Sequence, residues 1–191
     1  MTENAFPVYD AYTKSIDCYL KPGADAEAVF SWLTGRGNLL MGNEPGRRYE
    51  ARVNSPIELR KFVKTGSYRS FTVVFVVQPF KFLDPPADPI QMSDSSLIIN
   101  NPTNANAMPA VFVSGTGAGT ITINGVVVSI SNLSNGILMN WLAMEITTWS
   151  GLYNRASYVT GGPQWLVPGD NTITKSAAIT TCTIQPNWCY L

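Results

Sequence analysis

The chain contains no histidine. That absence removes Ser-His-Asp and Cys-His nucleophilic catalysis, histidine-ligated metals and the usual general base near neutral pH. Any enzymatic reading must therefore rest on carboxylates, lysine or tyrosine. Charge is scarce as well: charged residues make up 14% of the 191, and 13 Lys/Arg balance 13 Asp/Glu. A neutral surface of this kind sets up no long-range field to gather polyanions or acidic membranes, so neither direct nucleic-acid recognition nor a membrane partner is expected. No apolar run approaches the ~18 residues of a membrane span, and the opening MTENAFPVYDAY lacks the basic, apolar, small-residue order of a signal peptide. These features predict a soluble product made in the cytoplasm. Cysteine is rare, with Cys18, Cys182 and Cys189 an odd set. The spacing is compatible with a Cys182–Cys189 disulfide or with three free thiols, and free thiols are expected for a chain without an export signal. Without histidine they complete no zinc site, and no metal or cofactor is expected.

What is present describes a folded core: 45% hydrophobic residues, 11% of the chain aromatic. The two halves differ. From Ser95 onward the only charged side chains are Glu145, Arg155, Asp170 and Lys175. Between the halves, QPFKFLDPPADPIQMSD holds Pro79, Pro85, Pro86 and Pro89, turn chemistry suited to a junction. The expected organisation is an N-terminal β-rich domain with one helix over 1–84, a proline-rich linker over 85–95 and a C-terminal β-sandwich over 96–191.

In the first part, KSIDCYL alternates Ile16, Cys18 and Leu20 against Ser15, Asp17 and Tyr19, the pattern of a half-buried strand. In GADAEAVFSWLTG the period changes: Asp25 can cap a helix, Ala26, Val29, Phe30 and Leu33 recur at helical spacing, and Gly35 supplies a stop. RRYEARV restores alternation, and SFTVVFVVQPF reads as a central strand covered on both faces. Arg47, Arg48, Arg52, Arg60, Lys61, Lys64 and Arg69 form a basic series, but Glu44, Glu50 and Glu58 are mixed among them, as on a solvated strand face.

In the second part, VFVSGTGAGTITINGVVVSI raises the question of a phosphate loop. Gly115 and Gly117 fit a G-x-G-x-x-G pattern, but Thr120 holds its third position and β-branched residues follow where a helix would be needed. Asn124-Gly125 instead signals a two-residue hairpin loop, with Ile123 facing Val126 and Ile121 facing Val128. Ile121, Ile123, Val126, Val128 and Ile130 would then share one face, and the glycines would mark a bend or bulge. Strands are expected at SLIIN, AVFVS, GILMNWLAMEIT, ASYVT, NTIT and TCTIQ, with a type II turn centred on Pro168-Gly169 in VPGDN.

Candidate chemistry is thin. Glu145 and Asp170 are the only acids of the second half, hence its only possible glycosidase pair, but a turn aspartate and an outward-pointing strand glutamate are the expected roles. No serine stands three residues before a lysine. Trp141, Trp149, Trp165 and Trp188, with Tyr153 and Tyr158, suit either a sugar-stacking platform or core and interface packing. Asn132-Leu133-Ser134 matches a glycosylation acceptor, a frequent chance motif. No catalytic, cofactor-binding or metal-ligating residue is assigned.

Several segments together resemble a known family. AVFSWLTGRGNLLMGNEPGRRYEARV followed by FTVVFVVQPFKF is similar to the first domain of the distal tail (Dit) proteins of long, flexible-tailed phages and prophages. LIINNPTNANAMPAVFVSGTGAGTITING and GGPQWLVPGDNTIT resemble the second domain, with its N-P-x-N start, its hairpin ending in Asn-Gly and its P-G-[DE]-N-x-I turn. Order and spacing carry the likeness over most of residues 13–191. Family members usually have additional strands before the segment matching YTKSIDCYL. The resemblance implies a mainly β protein of two sandwich-like domains, the first with one helix and the second galectin-like. It also implies a structural, non-enzymatic role in the virion: a homo-hexameric ring at the baseplate, partnered by the tail tube, the tail tip and the tape measure. A carbohydrate-binding sandwich that attaches a tail to a cell surface is the alternative.

Overall fold

The computed structural model describes residues 10–54, 60–61 and 69–191. It divides into two compact units, Met1–Lys81 and Phe82–Leu191.

In the first unit, β1 (Tyr12–Leu20), β2 (Arg36–Leu40), β3 (Arg47–Val53), β4 (Arg60–Lys61) and β5 (Arg69–Leu83) build an antiparallel sheet in the order β1-β5-β3-β2, with β4 also pairing β5. The only α-helix among the described residues, α1 (Ala26–Trp32), starts where Asp25 accepts hydrogen bonds from the backbone N–H groups of Glu27 (2.9 Å) and Ala28 (3.3 Å). Its apolar stripe is the one the spacing predicts: Ala26, Val29, Phe30 and Leu33 pack on Leu20, Phe71 and Val73. Phe30 meets Phe71 edge-on, ring centroids 5.4 Å apart. Gly35, beyond the helix, has φ +78°.

The long strand β5 departs from expectation. Phe71, Val73 and Val77 are buried on the helix side, but Thr72 and Gln78 are exposed and Val74 and Val76 only half-buried. The strand is central, yet from Thr72 to Gln78 its even-numbered residues are exposed or half-buried, so one face of this stretch is left partly open. A continuous apolar run is ambiguous here, since valine also suits a half-covered surface. The last two residues of β5 belong to the second unit, where the Leu83 N–H donates to the Trp188 carbonyl at 3.2 Å beside β16 (Cys189–Tyr190).

The second unit is two five-stranded antiparallel sheets. One runs β13 (Val159–Thr160), β10 (Val126–Ile130), β9 (Gly119–Ile123), β14 (Gly169–Lys175), β7 (Ser96–Asn101). The other runs β12 (Glu145–Thr147), β11 (Ile137–Asn140), β8 (Ala110–Gly115), β15 (Ile179–Gln185), β6 (Ile90–Gln91). Residues 85–95, read from the sequence as a linker, thus hold a strand, and Met92 after it is buried. Alternate residues of both sheets supply the core: Ile121, Ile123, Val128, Ile130 and Ile173 from the first, Val111, Val113, Ile137, Met139 and Ile184 from the second, all at most 1% exposed. Each such side chain contributes about 1.5–3 kcal/mol by leaving water.

The glycine-rich stretch is a bend and a hairpin. Ile123 pairs Val126 and Ile121 pairs Val128 around Asn124 (φ 50°) and Gly125 (φ 84°), as the type I′ signal predicts. Val126 is exposed, although Ile123, its partner across the hairpin, is buried. GILMNWLAMEIT is two strands, β11 and β12, with the turn at Met144 (φ 56°), and ASYVT gives a 3-10 turn before β13. Gly169 has φ 87°, as a type II turn requires at its third residue. All three cysteines are free, Cys182 and Cys189 buried.

Candidate functional site

Glu145 lies exposed on the edge strand β12, whereas Asp170 is on β14 of the opposite sheet, where it accepts a hydrogen bond from Asn100 Nδ2 at 2.8 Å. The fold does not bring the two carboxylates onto one sheet. Among the described residues no group of three or more His, Cys, Asp or Glu side chains is placed to hold a metal ion, and no helix is long and apolar enough to cross a membrane. Asn132 of the acceptor motif is committed locally, its Oδ1 accepting from the Ser134 N–H at 2.9 Å.

The six aromatics separate by burial. Trp141 and Trp188 are core residues, and Trp165 and Tyr158 are half-buried, the Arg155 guanidinium lying 5.1 Å from the Tyr158 ring centre. Trp149 and Tyr153 are 63% and 67% exposed, so of the six only these two are largely open to solvent. Trp149 lies against Phe112 of β8, centroids 4.5 Å apart. Their loop is held by the Thr148 N–H on the Tyr153 carbonyl (2.9 Å) and by the Arg155 N–H on the Ile146 carbonyl (2.8 Å).

The three motifs of the second part converge on the loop before β14. Asn171, fully buried, accepts at Oδ1 from the Val167 N–H (2.8 Å) and from Asn124 Nδ2 (2.7 Å). Its Nδ2 donates to the carbonyls of Val167 (2.8 Å), Gly169 (2.8 Å) and Ile99 (3.3 Å). Asn124, in the hairpin loop, reaches the Trp165 carbonyl (3.4 Å) and accepts from the Thr172 N–H (3.0 Å). Asn101, also buried, donates to the carbonyls of Ala105 (3.0 Å) and Leu166 (2.9 Å), while its Oδ1 takes the Thr103 N–H (3.0 Å) and hydroxyl (2.7 Å). Three side-chain amides thus satisfy backbone groups of this loop beyond its β-bridge between Leu166 and Ala107. Their spacing in sequence is visible beforehand, but their mutual contact is not.

In the first unit a polar cluster forms on the helix-bearing face of the sheet. The buried Tyr49 hydroxyl donates to Glu44 Oε2 at 2.7 Å and accepts from Lys14 Nζ at 3.1 Å. Lys14 sits 4.2 Å over the Tyr49 ring, and Lys81 reaches Glu44 at 3.2 Å. Sequence reading missed this cluster, whose members lie on three strands and a turn. Burial, then the hydrogen bond to Glu44, pushes the Tyr49 phenol up to about 12. The hydrogen bond from Tyr49, with Lys81 and Lys14, holds Glu44 below the usual carboxylate range against the opposing effect of burial.

The linkage has opposite signs for the two groups. The folded state binds the phenol proton more tightly than the unfolded chain, so this contribution is full below pH ~10 and lost as pH rises towards about 12. Glu44 contributes above the ordinary carboxylate pKa and loses its contribution as pH falls through its lowered value. Tyr49→Phe should therefore cost about 1 kcal/mol at neutral pH and flatten the alkaline loss of stability. Urea midpoints at pH 7 and pH 11 check both; an unchanged alkaline slope would refute the assignment.

Compared as a sequence, the chain matches no family model and no curated protein. As a structure its class is plain: a mainly β chain of antiparallel sheets, sandwich-like, with one helix. It is similar to the crystal structure of the Dit protein (gp 19.1) of phage SPP1, with a TM-score of 0.70 and 14% identity, over 93% of this chain and 78% of that one. That protein is described as a paradigm of the hub adsorption apparatus in phages that infect Gram-positive hosts. At this identity the likeness establishes the fold.

Proposed function

We propose that this chain is a structural protein of a phage or prophage tail, a distal-tail hub component that joins the tail tube to the tail tip by forming a homo-hexameric ring. The observation that carries the reading is the extent of the fold likeness: 93% of the chain, which takes in both units, follows a tail hub protein. The motifs singled out in the sequence support it, since they serve the fold and not a reaction: Asn101, Asn124 and Asn171 hold a loop. A galectin-like second domain here serves assembly, in the virion, with other tail proteins as partners and no enzymatic activity.

Electron microscopy of the purified protein at micromolar concentration tests this. Annular particles with six-fold averages, and a solution mass six times that of the chain, are expected. A strict monomer, alone and with cognate tail-tip protein, would overturn the hub reading.

One observation favours a second reading, a carbohydrate-binding module for cell-surface attachment: Trp149 is exposed yet fixed against Phe112, as a stacking surface for a sugar ring would be. Under that reading a monomer retains cell-wall polysaccharide and Trp149→Ala abolishes retention.

A further inference from the structure

The face of the first sheet opposite α1 carries a charge arrangement that no ion pair among the described residues neutralises. β2 and β3 pair so that Arg36 stands directly opposite Arg52, and Asn38 directly opposite Glu50. Directly paired strand residues point to the same side, so the two guanidinium groups are near neighbours, an unfavourable pairing for the free protein. Both arginines are exposed, and neither has an ion pair or hydrogen-bond partner among the described side chains. The contrast is with Glu44 in the same unit, which takes two lysines. The arginines border a groove of about 410 Å³ to which β5 contributes Val76 and Gln78. That volume lies within the range of ligand sites.

We propose that Arg36 and Arg52 form a binding site for carboxylate side chains on an extended segment of a partner protein. Two planar forks side by side match carboxylates with paired, charge-assisted hydrogen bonds, and the bound acid removes the repulsion that the empty groove carries. Glu50 identifies the kind of ligand. Its carboxylate lies one row along from the arginines and repels a uniform polyanion, whereas a peptide offers backbone N–H groups or hydroxyls there. Val76 adds apolar contact, which a protein segment uses and a phosphate polymer does not. The site stands on this groove alone and holds whichever reading of the tail role is correct.

Fluorescence anisotropy at low ionic strength tests it, using a labelled peptide of alternating glutamate and threonine, a lysine–threonine peptide, and inorganic polyphosphate matched in charge to the first. The glutamate peptide is expected to bind more tightly than polyphosphate, and Arg36→Ala with Arg52→Ala to weaken it at least tenfold. The thermal midpoint of that variant stays level or rises, since a like-charge pair is gone. Arg36→Glu with Arg52→Glu should exchange preference to the lysine peptide, a result that a folding defect does not produce. Equal binding by the alanine variant, no binding of the glutamate peptide, or tighter binding of polyphosphate each overturns the proposal, the last by assigning the groove to a phosphate polymer.

Discussion

Asn171→Ala lowers the stability of the second unit by about 3 kcal/mol or more, a shift of its thermal midpoint on the order of 10 °C. The side chain is fully buried and serves four backbone groups and one other amide. Removing it leaves the Val167 N–H and the carbonyls of Val167, Gly169 and Ile99 without this partner. Losses of this size arise when a buried hydrogen-bond network is broken. Asn171→Asp separates the two halves of the amide: it keeps the acceptor but turns a carboxylate oxygen towards three carbonyls, and it is expected to cost at least as much as alanine. Asp170→Ala, one residue away, removes only an exposed contact to Asn100 and should cost under about 0.5 kcal/mol. Differential scanning calorimetry on the three variants decides it. Equal midpoints for Asp170→Ala and Asn171→Ala would mean that the network does not carry the loop.

Gly115→Ala is the second large effect, about 3 kcal/mol. An added Cβ would run into the backbone carbonyl of Ala178. That carbonyl lies just before β15, whose register shifts between Ile179 and Thr181, and it accepts the Thr116 N–H at 3.2 Å. Rigid backbone on both sides leaves nothing to move aside. Gly117, two residues on, has φ +74° and open space around its Cβ position, so Gly117→Ala pays only the left-handed strain, about 1 kcal/mol. Chemical denaturation of both variants measures the difference. A Gly115→Ala protein as stable as the wild type would show that the bulge can relax. The two glycines look alike in VFVSGTGAGT, yet one is there for room and the other for conformation.

How much was legible beforehand varies with the range of the interaction. The cap at Asp25, the stripe Ala26, Val29, Phe30 and Leu33, and the register around Asn124-Gly125 are local, and local rules name them correctly. Covering of β5 is not local: the same valines fit one or two covered faces, and only the placement of the other elements decides. For the same reason Trp141 and Trp149 look equivalent in sequence, though one lies in the core and the other on an edge. The cluster of Lys14, Glu44, Tyr49 and Lys81 draws on segments as much as 67 residues apart, and spacing carries no trace of it. Of the two arginines at the groove only Arg52 belongs to the basic series, which its intermixed glutamates mark as a solvated strand face, and Arg36 stands outside it. Register pairs the arginines with each other instead.

Asn101, Asn124 and Asn171 come from two strands and a hairpin loop, yet they tie a single loop. Such a knot is costly to untie one thread at a time, because altering any one amide strands groups that the other two cannot reach. Through long divergence these positions are expected to persist together or to be replaced together. A distant relative would then be recognised more readily by this trio than by its average likeness.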